Sequence, residues 1–117
     1  MTKVTGMGVP GMAVTVMAVY RPKPGQAAEL DRLVAEHLPI LRAEGLVTNY
    51  PSTVLKAADG TVIEIFEWVS AAAIDQAHGK PAVMALWARF GTVCDYLPIA
   101  ALTEAQQIFS PFTRIQP

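Results

Sequence analysis

His78 closes the segment FEWVSAAAIDQAH, Phe66 to His78, and Asp75 precedes it by three residues. On a helix that spacing makes the two side chains neighbours, so a carboxylate is placed to orient an imidazole that takes a proton from a bound acid. The plainer reading is that His78 caps the helix end before Gly79 and Pro81, giving a hydrogen bond to an open carbonyl. Trp68, Trp87 and Phe90 offer aromatic surface, either as core or as the walls of a cavity. His37 and Glu64 are polar intrusions in apolar patterns. Each needs a partner if buried, whether a core group or a ligand, and Tyr20 or Arg114 is a candidate partner for Glu64.

Other chemistries have no foundation here. Two distant histidines and one cysteine, Cys94, form no metal-ligand spacing, so no metal site is expected. The glycines at 6, 8 and 11 precede a strand and do not open a helix, which excludes a phosphate loop, and no G-x-S-x-G elbow occurs. A net charge of −1 with scattered Lys and Arg argues against nucleic acid as a partner. No segment has the ~18 consecutive apolar residues of a membrane span. The single cysteine suits a reducing compartment, so the cytoplasm is the expected location.

The elements that must position these residues follow from hydrophobic period. Residues 1–11 read as a loose, Gly-rich leader, and 12–117 as one domain. Val14, Val16, Ala18 and Tyr20 alternate with Thr15, Met17, Val19 and Arg21, and both sets are mostly apolar, which predicts a strand covered on two faces. Leu30, Leu33, Val34, His37, Leu38 and Leu41 predict a helix with its inward stripe, kinked at Pro39 and ended by Gly45. Val47 to Val69 reads as a hairpin turning at Asp59-Gly60, and Ser70 as an N-cap. Val83, Leu86, Trp87, Phe90, Val93, Cys94 and Leu97 predict one long helix ending before Pro98, and residues 106–115 a last strand.

The resulting order, βαββαβ, is that of the ferredoxin-like α+β class: a four-stranded antiparallel sheet with helices on one face. At 52% hydrophobic and only 16% charged, against ~25% charged in ordinary soluble domains, the chain has more apolar surface than a small monomer hides. A second sheet is expected over the open face, giving a homodimeric α+β barrel with a small cavity between each sheet and its helices.

The succession Glu67, Trp68, Ser70, His78, Pro81 and the apolar series from Val83 resembles the antibiotic biosynthesis monooxygenase-like family of dimeric α+β barrels. The resemblance implies oxidation of an aromatic, phenolic small molecule by O2 without metal or prosthetic group. Taken with the residues themselves, that activity would make His78, oriented by Asp75, the base, with Trp68, Trp87, Phe90, His37 and Glu64 as candidates around the substrate. Haem-degrading relatives of this fold carry an Asn in the first strand. Here the polar members of that strand are Thr15, Tyr20 and Arg21, which weighs against haem. A non-catalytic ligand-binding or structural dimer is the alternative from another class.

Overall fold

A computed structural model describes residues 11–115. The expected leader therefore lies outside the described residues apart from Gly11. Five strands form one antiparallel sheet: β1 (Val14–Pro22), β2 (Thr53–Lys56), β3 (Val62–Trp68), β4 (Cys94–Leu97) and β5 (Thr113–Ile115), in the order β4-β1-β3-β2-β5. Three helices, α1 (Ala27–Ala43), α2 (Ala71–Ala77) and α3 (Pro81–Val93), cover one face. The result is a small α+β domain, compatible with the ferredoxin-like arrangement in its first four strands.

Register decides which residues look inward. β1 pairs with β3 so that Val16 faces Phe66, Ala18 faces Glu64 and Tyr20 faces Val62. Cross-strand partners share a face, so Val14, Val16, Ala18 and Tyr20 point toward the helices together with Val62, Glu64, Phe66 and Trp68. α1 closes this layer with Leu30, Leu33, Val34, Leu38 and Leu41. Burying one such side chain contributes roughly 1.5–3 kcal/mol. The helix runs past Pro39 and stops at Gly45, whose φ of 70° allows the amides of Gly45 and Leu46 to return to Arg42 and Leu41.

Three elements differ from the sequence expectation. The predicted fourth strand, residues 106–115, contributes only Thr113–Ile115, which pairs with β2 at the far edge as a fifth strand. The strand beside β1 is instead Cys94–Leu97, which the helical stripe had absorbed. Val93, Cys94 and Leu97 do satisfy a helical spacing, but the ladder to β1 prevails: the backbone turns extended at Cys94, with φ −147° and ψ 165°. Cys94 and Leu97 then fall on opposite faces of the sheet. The expected hairpin from Val47 is also shorter, with Val47 making only an isolated bridge to Trp68 ahead of β2.

The second face of the sheet is partly covered by the chain itself. After β4 the backbone makes two 3-10 turns, Ile99–Ala101 and Thr103–Gln106, and crosses the sheet before β5. Leu102 is buried against Val19, Ile63 and Ala57, with Leu55, Leu97, Ile99, Ala105 and Phe112 around it. This strap forms a second, smaller core. Beyond it Met17 stays 57% exposed, and the strap's own Ile108 and Phe109 stand 96% and 89% exposed.

Candidate functional site

Between the sheet and the helices α2 and α3 lies a cavity of about 350 Å³. β1 supplies Val16 and Tyr20 to its wall, β3 supplies Phe66 and Trp68, and α2 and α3 supply Ile74, His78 and Trp87. Because β4 pairs with β1 only from Val19 onward, the earlier part of β1 extends past the end of β4, and the cavity is bordered there by Met17, Leu97 and Pro98.

Each helix is set locally. Ser70 is extended and its hydroxyl accepts from the Ala73 amide at 3.2 Å, which starts α2 as the sequence predicts. Pro81 sits in the first turn of α3, where its missing N–H costs nothing. His78 is the C-cap residue of α2, and its Nδ1 hydrogen-bonds the Ile74 carbonyl at 3.0 Å. A carbonyl only accepts, so Nδ1 carries a proton and the basic lone pair of a neutral ring belongs to Nε2. The capping reading of His78 is the one seen, and the same residue also lines the cavity. Its ring stands edge-on to Trp87, with centroids 5.2 Å apart.

Behind this wall runs a buried polar chain. The Tyr20 hydroxyl donates to Glu64 Oε1 at 2.8 Å, His37 Nδ1 meets the same oxygen at 2.7 Å, and the Trp87 indole N–H donates to His37 Nε2 at 3.0 Å. The tautomer follows from donor counting. An indole nitrogen only donates, so Nε2 of His37 must accept and Nδ1 must carry the hydrogen toward Glu64. His37 and Glu64 are 0% and 1% exposed. Among the described residues no buried side-chain polar atom lacks a partner. Burial, then the charge of Glu64, then the hydrogen bond to it, push the Tyr20 phenol well above the usual tyrosine range and keep it a donor. Burial raises Tyr96 to about 12, with Cys94 adding to the shift, and raises Cys94 to about 11, with Asp95 adding and Lys23 opposing.

Family models, curated proteins and solved structures give no match to this chain. Of the residues singled out in the sequence, His78, Trp68 and Trp87 come together around the cavity. His37, Glu64 and Phe90 form a layer behind them, with the His37 and Phe90 rings 5.3 Å apart. Asp75 lies on the exposed side of α2, outside the wall of the cavity. Of the two partners named for Glu64, Tyr20 is the one found, since Arg114 sits across from Leu55 on the strap face. Tyr96 was missed because it lies in the stretch assigned to helix. Its hydroxyl reaches the Trp87 carbonyl at 3.4 Å. Among the described residues no cluster of three metal-ligating side chains occurs.

Proposed function

We propose that the chain takes a flat phenolic molecule into the cavity and oxidises it with O2 without a cofactor, His78 serving as base. One observation supports this above the others. Among the described residues bordering the cavity, His78 is the one imidazole, and it is held through Nδ1 among the rings of Tyr20, Phe66, Trp68 and Trp87. Aromatic walls favour a planar apolar ligand, and a few polar groups fix its orientation.

The step balances without further reactants. His78 accepts a proton from an acidic C–H of the substrate, and the anion passes one electron to O2. The substrate radical and superoxide then form a C–O bond, and the proton returns from His78 to give a hydroperoxide. Loss of water leaves a carbonyl, so one oxygen atom enters the product and the other leaves as water. Oxygen uptake with 1,8-dihydroxyanthrone tests this. Uptake well above the uncatalysed rate is expected, falling about 100-fold or more in His78→Ala. Uptake equal in parent and variant removes His78 from the reaction.

A second reading, a binder without turnover, is supported by the closed pairing of Tyr20, Glu64, His37 and Trp87, which face one another and leave little polar chemistry for a ligand. Saturable ligand binding with no oxygen uptake would select it. For either reading we propose a homodimer joined across the strap face and working in the cytoplasm. Exposed Ile108, Phe109 and Met17 support the contact as unpartnered apolar surface. No helix among the described residues is long and apolar enough to cross a membrane.

A further inference from the structure

We infer that the buried Glu64–His37 pair is the positioning device of the cavity: it locks the Trp87 indole, and through that ring it sets His78 and the selectivity for a planar ligand. The inference rests on the cavity being a ligand site. Three observations carry it. A carboxylate and an imidazole occupy the core between sheet and helices, where two hydrophobes of similar size would pack without any need for matched hydrogen bonds. They accept hydrogen bonds from two directions, Glu64 from Tyr20 on β1 and His37 from Trp87 on α3, and both donors belong to the cavity wall. The ring of Trp87 then lies against both histidines, hydrogen-bonded to His37 and edge-on to His78.

Directionality makes the pair more than filling. Apolar contacts alone leave an indole several orientations, whereas an N–H aimed at one lone pair accepts only one. The order of donors fixes each member in turn. Tyr20 and His37 both donate to Glu64, so the carboxylate sets the imidazole plane, and the imidazole plane sets the indole. Trp87 also lies one turn before Phe90, whose ring contacts Tyr20 at 5.0 Å, so the same lock joins α3 to the inner end of β1. Neither His37 nor Glu64 touches the cavity. They act through the wall residues.

The chain has two tryptophans and two histidines, so NMR resolves the relevant signals directly. In the parent the Trp87 indole proton, assigned with Trp87→Phe, should lie downfield of Trp68's, and the His78 ring protons should carry a ring-current shift from Trp87. His37→Phe keeps the volume filled but removes both hydrogen bonds. It should move the indole proton upfield, collapse the His78 shift and weaken 2-naphthol binding about tenfold, the scale on which outer partners act on the groups they orient. Glu64→Gln keeps a carbonyl acceptor for Tyr20 and His37, and should retain the indole signal and most of the affinity. It also serves if His37→Phe fails to fold, since loss of both signals in so mild a change would overturn the assignment. A His37→Phe protein with lowered Tm but unchanged indole signal, His78 shifts and 2-naphthol affinity would reduce the pair to ordinary core and overturn the inference. A parent that does not bind 2-naphthol sinks the cavity reading and the claimed selectivity, while the indole signal still decides whether the pair holds Trp87.

Discussion

Glu64 and His37, 27 residues apart in sequence, meet through Oε1 and Nδ1 at 2.7 Å in the centre of the domain. Glu64 comes from the central strand, with Ala18 directly across from it on β1, and that small neighbour leaves the diagonal Tyr20 close enough to donate to the same oxygen. Removing the acceptor strands two buried donors. Glu64→Leu should therefore cost about 3–5 kcal/mol, while Glu64→Gln should cost clearly less. Urea unfolding of the two variants measures the difference, and equal losses would mean that the hydrogen bonds contribute nothing beyond volume.

Alkali should unfold this protein early. Tyr20, Cys94 and Tyr96 are all pushed up in the folded state, mainly by burial, so folding favours their protonated forms. The resulting stability is complete below the unfolded ionisation range of about 8.5–10 and is lost as pH rises toward the folded values. Urea midpoints should fall between pH 9 and 11.5, and Cys94→Ala should remove the earliest part of the decline. A midpoint that holds constant to pH 11 would contradict the burial of Tyr20 and Cys94.

Cys94 should resist thiol reagents at pH 8. Its thiol is buried, donates to the Phe90 carbonyl at 3.2 Å and is raised to about 11. Reaction with a disulfide reagent should follow the unfolding rate, and prompt stoichiometric labelling of native protein would show otherwise.

Ser70→Ala removes the hydroxyl that starts α2 and should cost about 1 kcal/mol. Because α2 ends at His78, the same change should loosen the ring beside Trp87. Thermal melts together with the His78 ring-proton linewidths test both effects, and a Tm loss with sharp, unshifted ring signals would confine the cap to stability.

Ile108→Ser with Phe109→Ser should leave the unfolding free energy within about 0.5 kcal/mol, since both side chains are exposed. If these residues hold a dimer, sedimentation at micromolar concentration should show the parent at twice the chain mass and the variant at 12.6 kDa. Two monomers would eliminate the proposed contact.

Residue pattern alone yields β1 and β3, the α1 stripe, the α3 stripe as far as Val93, the Ser70 cap and the Asp59-Gly60 turn, because each is a local preference reinforced by burial. It also marks His37 and Glu64 as misplaced polar groups. What it cannot supply is their meeting, which depends on β1–β3 register, and two apolar faces leave that register open. Cys94 to Leu97 is ambiguous for a related reason: four residues satisfy a helical period and a strand period equally, and pairing with Val19 to Pro22 decides between them. The cavity wall at Tyr96 is hidden by the same ambiguity. The strap is illegible because short 3-10 turns have no repeating period to detect.

That strap separates two events that a bare sheet would tie together. A subunit whose second face is partly covered by its own Leu102 buries that part of its apolar surface within one chain. If that cover suffices, folding should be first-order, its rate independent of chain concentration, and any pairing of copies should be a later, second-order step that dilution reverses without denaturation.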